Sequence, residues 1–294
     1  MIAYHNPAVV YGILFRAVAE TLRTIAADPQ HLGAAIGFFA VLHTWGQTLV
    51  YHPHLHCVVP GGGLSLDGTR WISCRPDFFL PVRVLSRLFR RLFLEALQDA
   101  FDAGTLRFGP SLDTLRDRAA FIRHLVPARR AEWVVYAKAP FAGPQQVLDY
   151  VGRYTHRVAI SNNRLLDMDD WHVRFRYKDY RADSAETQKL MTLPATEFIR
   201  RFLLHVLPPG FHRIRYYGLL GNRHRKEKLA RCRQLLGTAA PETPSATVPA
   251  DYRDRYEALT GISLRVCPVC QDGHMLVIEH LARAYGGSAI PDSS

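Results

Sequence analysis

The stretch Tyr51-His52-Pro53-His54-Leu55-His56-Cys57-Val58-Val59-Pro60 constrains this chain more than any other. Its apolar and β-branched residues predict a short strand. Side chains two apart on a strand share a face, about 7 Å apart along it. His54 and His56 therefore point one way, while Leu55 and Cys57 point the other. Two imidazoles at that spacing can chelate one divalent cation. A bare His-x-His also describes a surface strand with two solvated histidines, so the rest of the chain has to decide.

The 294 residues are 48% hydrophobic, enough for one large or two modest cores. No apolar run reaches the ~20 residues that cross a bilayer. The longest, Leu32 to Leu42, reads as a buried helix. Met1 to Ala8 carries His5, Asn6 and Pro7 where a signal peptide has its apolar core. Of five cysteines, Cys57, Cys74 and Cys232 are isolated, the pattern of a cytoplasmic protein rather than a disulfide framework. The net charge of +11 and pI near 9.7 favour a polyanionic partner, nucleic acid first. The excess is concentrated: Thr196 to Leu236 has ten Lys and Arg against two Glu, eight of the eleven surplus charges.

Taken in order, Asn6-Pro7 starts a helix over about Ala8 to Ala27, and His31 to His43 predicts a second. Trp45 to Val50 and Pro53 to Val59 read as strands. Asp67-Gly68 turns a hairpin between Leu64–Leu66 and Arg70–Ser73. Pro81 opens a long helix to about Ala103, with a basic face of Arg83, Arg87, Arg90 and Arg91. Ser111 to Leu125 is a short amphipathic helix, and Trp133 to Lys138 a central strand. A helix spans Gln145 to about Thr155. Val158 to Ile160, Arg164 to Met168 and Trp171 to Lys178 follow as strands. The last alternates, with Trp171, Val173, Phe175 and Tyr177 on one face and His172, Arg174, Arg176 and Lys178 on the other. Helices over Thr196 to Val206 and Arg223 to Leu236 precede a linker, Gly237 to Pro249. The fold class is therefore α+β. The domains read as a core over 1–193, a basic helical extension over 194–236, a linker over 237–249 and a tail over 250–294.

A second motif is Asp149-Tyr150-Val151-Gly152-Arg153-Tyr154-Thr155-His156-Arg157. Tyr150 and Tyr154, four apart on a helix, share a face. They fit a core stripe with Val147 and Val151, but they are also interleaved with Arg153, His156 and Arg157. A tyrosine hydroxyl is a nucleophile toward phosphorus when a nearby cation lowers its pKa. The two motifs together describe one reaction. A metal on His54 and His56 stabilises charge on a scissile phosphate, and a tyrosine attacks in line, leaving a 5′-phosphotyrosine and a free 3′-hydroxyl.

These motifs resemble a known family. His54-Leu55-His56 is similar to the metal motif of HUH endonucleases, and Tyr150-x-x-x-Tyr154 to their two-tyrosine signature. His43-Thr44-Trp45-Gly46-Gln47-Thr48-Leu49, His52 to Gly63 and Arg153 to Asn162 resemble the transposases of rolling-circle insertion sequences. The likeness runs from about Tyr4 to Gly237. It implies an HUH-type antiparallel sheet with flanking helices. The implied activity is metal-dependent nicking and joining of single-stranded element ends in the bacterial cytoplasm, on nucleoid DNA. Such sites recruit a third polar ligand, for which Gln47 comes first, then Gln146, then His52. Magnesium or manganese is the implied ion. Relatives also begin with a cysteine-rich zinc module and a first strand, so this chain is expected to have a shortened start.

Cys267-Pro268-Val269-Cys270, followed by His274, reads as half a zinc knuckle or as a silent thiol pair, with His280 a further donor. For DNA contacts the sequence offers Arg153, Arg157, the platform Arg174, Arg176 and Lys178, and the helix with Arg223, Arg225, Lys226 and Lys228. Each is equally describable as a solvated face. Two other readings stay open: a replication initiator or relaxase with the same chemistry, and an inactive DNA-binding remnant.

Overall fold

The computed structural model describes residues 1–138, 147, 152, 159–179, 188–238 and 251–276. It divides into two compact units, Met1–Ala239 and Ala240–Ser294. The first mixes helices with three antiparallel sheets, so the class is α+β.

The short α1 (Ile2–His5) runs into α2 (Pro7–Ala27). Pro7 sits in the first turn, where the missing N–H has no partner to lose. Between the two helices Asn6 is 5% exposed. Its amide donates to the Ile2 and Arg107 carbonyls, and its oxygen accepts from the Arg107 N–H. Residues 31–43, expected to be helical, instead begin in a turn and then form strands: β1 (Ala34–Ala35) and β2 (Gly37–Trp45). The reason is burial. Nearly every residue of β2 is covered on whichever face it occupies. A doubly covered strand loses its two-residue alternation and reads like a buried helix. The strand expected over 45–50 is accordingly a turn, closed by the Gly46 N–H on the Val50 carbonyl at 3.0 Å with Leu49 at φ 59°.

β3 (Tyr51–Val58), β4 (Gly62–Ser65) and β5 (Trp71–Ser73) follow, with the Asp67-Gly68 turn where the sequence places it. α3 (Val82–Asp102) is the long helix expected. The helix read over 111–125 is split into a 3-10 turn, Pro110–Arg116, and α4 (Arg118–Arg130). Asp117 divides them because its carboxylate caps α4 by accepting from the Ala120 N–H at 2.7 Å. Trp133 to Lys138 is not a ladder strand. Trp133 packs on Phe89 and Phe93, its carbonyl accepts from Ser86, and Val134 and Tyr136 stand exposed. Ala159 and Ile160, at the end of another expected strand, are buried but not in a ladder.

β6 (Leu165–Met168), β7 (His172–Lys178) and β8 (Gln188–Pro194) form one sheet. α5 (Ala195–Leu203), β9 (Ile214–Gly218) and α6 (Arg225–Leu235) complete the described part of the unit. β9 is a strand that the sequence reading missed. It pairs with β2, which makes β2 the middle of the sheet β3-β2-β9.

Residues paired across an antiparallel ladder share a face. Phe38, Ala40 and Leu42 with Leu55, Cys57 and Tyr217 pack on α2 and on Leu85 of α3. Burial of side chains this size contributes ~1.5–3 kcal/mol each. The same packing pushes the Cys57 thiol up to about 12. Phe39, Val41 and His43, with Val58, His56 and His54, take the opposite face.

The exit from β9 depends on Gly218. Its φ is 59°, and a Cβ there would meet the Ile36 carbonyl oxygen at 2.0 Å. Gly237 has φ 63° with nothing within 4 Å. Gly218→Ala should therefore lower the urea unfolding midpoint by an amount equivalent to at least about 2 kcal/mol, against roughly 1 for Gly237→Ala. Equal shifts would mean that the Gly218 approach to β2 is not close.

Candidate metal centre

β2 and β3 bring three histidines together. The register sets His43 opposite His54, and His56 follows two residues on along the same strand face. The ligating atoms of His43, His54 and His56 all lie within 4.8 Å of one another, the one such group of three among the described residues. His54 Nε2 and His56 Nε2 are 3.1 Å apart. Two nitrogens ~2.1 Å from one ion and at right angles about it would be separated by about 3.0 Å, so the spacing suits cis ligands.

Protonation follows from the hydrogen bonds. His54 Nδ1 lies 2.7 Å from the His52 carbonyl, which only accepts, so Nδ1 carries the proton. Burial lowers the His54 pKa, opposed by that same bond to His52. In the neutral ring Nε2 is then a bare lone pair, turned toward His56 Nε2. An imidazole anchored through Nδ1–H to a carbonyl is the arrangement that orients metal-binding histidines. His43 is 3% exposed, and the Trp45 ring stacks on it at 4.6 Å and 16°.

Gln47, the first choice for a third ligand, lies in the turn after β2. Its Oε1 faces the Lys178 N–H at 3.4 Å and its carbonyl accepts from Arg164. His52 is exposed and supplies its carbonyl to His54. His43 is the third imidazole of the group. The sequence pattern places it at the end of a helix. The available signal was the two-residue alternation Val41, His43, Trp45, the same spacing that separates His54 and His56. Tyr150, Tyr154, Arg153, Arg157, Gln146 and His280 lie outside the described residues.

A register shift between His43 and Trp45 marks the end of the regular ladder. Beyond it Thr44 Oγ1 donates to His205 Nδ1 at 3.1 Å, and His205 Nε2 donates to the Leu49 carbonyl at 3.2 Å. This buried, neutral histidine pins the loop that joins the two histidine-bearing strands. Tyr51, the tyrosine nearest the cluster in sequence, shares its hydroxyl with Tyr11 at 2.7 Å, and burial raises its pKa above the normal range.

The basic residues are divided. Val173 and Phe175 of β7 are buried, and His172, Arg174, Arg176 and Lys178 are exposed, as the alternation predicts; Trp171 departs from it at 76% exposed. Arg174 is neutralised by Asp167 at 2.6 Å. Arg223, Arg225 and Lys226 project from the start of α6 and Lys228 is half-buried. Cys232 and Leu235 fix that helix on Leu64, Trp71 and Leu219.

In the second unit, α7 (Tyr252–Thr260) precedes the cysteine turn. Gln271 N–H donates to the Cys267 carbonyl, and Gly273 N–H points at Cys270 Sγ at 3.4 Å, which lowers the Cys270 thiol. Val266 and His274 pair across the turn. Cys267, Cys270 and His274 are not gathered as closely as the three imidazoles.

The unit combines antiparallel sheets and helices, a group of three imidazoles that could hold a metal ion, with only His43 fully buried, and a strongly basic composition, a combination expected of a protein acting on nucleic acid. Residues 37–228 match the family Y2_Tnp, described as "Putative transposase", and the chain belongs to that family. It is 70% identical over 278 residues to "Putative transposase y4qJ" of Sinorhizobium fredii (strain NBRC 101917 / NGR234), covering 95% of this chain and 69% of that protein. It is 26% identical over 261 residues to the transposase for insertion sequence element IS801 of Pseudomonas savastanoi pv. phaseolicola, covering 87% of this chain and 59% of that protein. No solved structure matches.

Two outcomes are expected. In calorimetry with manganese, His43→Ala and His54→Ala should each weaken binding by at least about tenfold, whereas Gln47→Ala should stay close to wild type. The reverse order would make Gln47 the ligand. Second, burial lowers the His205 pKa in the folded state. The unfolded chain then binds the proton more readily, so stability is full above the unfolded value of about 6.5 and falls as pH drops below it. Urea midpoints between neutral pH and pH ~5 should fall less in His205→Gln than in wild type.

Proposed function

We propose that this chain nicks and rejoins single-stranded DNA at the ends of a mobile element, using a tyrosine nucleophile and a divalent cation. The observation that carries the reading is the cluster of His43, His54 and His56 in a chain of a transposase family. The three histidines would hold the cation, which when bound supplies Lewis acidity to a phosphate oxygen. Magnesium or manganese fits the reaction, and an all-nitrogen set favours manganese of the two. His54 is already in the tautomer that presents Nε2, and the His43 ring is held by Trp45.

The nucleophile is Tyr150 or Tyr154. Its phenolic oxygen forms a bond to phosphorus as the bond to the 3′-oxygen breaks. The phenolic proton passes through solvent to the leaving oxygen, giving a 3′-hydroxyl and a 5′-phosphotyrosine. Attack by a 3′-hydroxyl on that phosphotyrosine reverses the step, restores the tyrosine and joins a new pair of ends. Phosphodiester energy is conserved throughout, and two tyrosines allow one end to be held while a second is cut.

A single strand suits the exposed cations Arg176 and Lys178, Arg223 just before α6, the α6 residues Arg225, Lys226 and Lys228, and the tyrosine-flanking Arg153 and Arg157. Arg174 contributes less because Asp167 already neutralises it. The core over 1–193 would carry the chemistry and 194–236 much of the DNA contact. With further donors, Cys267, Cys270 and His274 would hold a structural zinc, a reading supported by the N–H···S bond to Cys270. Action on nucleoid DNA places the protein in the bacterial cytoplasm. Replication initiators and relaxases share the chemistry; the IS801 relative favours transposition.

The test is covalent capture. With manganese and a labelled single strand bearing an element end, wild type should form an adduct stable to denaturing gel electrophoresis. Tyr150→Phe and Tyr154→Phe together should abolish it, and His54→Ala should remove cleavage along with bound metal. An adduct that survives the double tyrosine change would sink the mechanism.

A further inference from the structure

A cavity of about 280 Å³ lies between the end of β2 and the end of α5. Its walls include Thr44, Trp45, Phe202, His205, Val206 and Arg213. Phe202 and Val206 are 40% and 65% exposed, so the cavity is reached from solvent beside them. It is a different place from the metal cluster but adjoins it, because Trp45 both lines the cavity and stacks on His43 at 4.6 Å. We propose that this cavity is a base pocket: it takes one unpaired nucleobase of the single-stranded substrate and so sets which nucleotide lies beside the histidine cluster. This rests on the reading of the chain as a single-strand-processing protein.

Size, lining and charge each support a base over other occupants. An apolar cavity of ~150 Å³ is known to hold one benzene ring, so nearly twice that volume suits a fused two-ring base. Aromatic and aliphatic walls are what flipped or unpaired bases stack against. Both His205 ring nitrogens are committed inside the protein, to Thr44 and to the Leu49 carbonyl. The interior therefore rewards stacking more than edge recognition, and the base edge stays toward the open side. The chain's net charge of +11 suits an occupant that arrives attached to phosphates.

The experiment uses the full chain without added metal, so that binding is separated from cleavage. The probes are mixed-sequence single strands of about 20 nucleotides in which 6-thioguanine replaces guanine, followed by anisotropy and by photocrosslinking with peptide mapping. Crosslinks are expected on Trp45 or Phe202. Phe202→Ala should weaken binding by about fivefold or more and remove them, and Phe202→Trp should restore both. Ala159→Leu, which adds bulk from another wall of the cavity, should weaken binding as Phe202→Ala does, with thermal melting showing that both variants fold. Crosslinks found only away from the cavity, unchanged binding by folded Phe202→Ala, or no binding of single strands at all would overturn the pocket. Crosslinking at Trp45 or Phe202 without any phosphotyrosine adduct in the manganese assay would keep the pocket and remove the nuclease reading.

Discussion

Strand β2 is hydrogen-bonded on both sides, and its register with β3 decides which side chains meet. His43 faces His54, and Leu42 faces Leu55, so one face gathers imidazoles while the other fills the core against α2. A slip of one residue would exchange the two sets, sending His54 and His56 into the apolar layer. The penalty for burying unsatisfied imidazoles there, together with the loss of Leu55 and Cys57 from the core, holds the register. The histidine cluster is thus specified by the same packing that specifies the sheet. The loop between the strands is fixed separately, by His205 reaching from beyond α5 to Thr44 and Leu49.

Charge is arranged differently from the histidines. Within the cluster, burial lowers the pKa of His54, whereas Arg174, Arg176, Lys178, Arg225 and Lys226 are exposed on β7 and α6. Exposed cations act over distances set by salt, about 10 Å at moderate ionic strength. They suit drawing in a polyanion and holding it loosely, whereas a compact group of imidazoles suits one ion held in fixed geometry. The Arg174–Asp167 pair shows that counting basic residues along a strand overstates the field they make.

How much of this was legible in the sequence depended on burial pattern. β3 and β7 each have an apolar face and a polar one, so their alternation gave face assignments that the fold reproduces for His54, His56, Val173 and Phe175. β2 is covered on both faces, and its apolar run concealed both the strand and the place of His43. β9 was hidden for another reason: it is five residues long, and its pairing with β2 joins positions far apart in sequence. Its local bounds, Pro208-Pro209-Gly210 before and Gly218 after, were the available clue. The split at Asp117 is a capping effect that a hydrophobic pattern does not register.

The hydrogen bond from His54 Nδ1–H to the His52 carbonyl ties one ring of the cluster to the backbone of its own strand. The direction in which Nε2 points is therefore set by the main chain two residues earlier, without a partner from any other element. A change that moves the backbone at residues 52–54 would re-aim that nitrogen even with all three histidines kept.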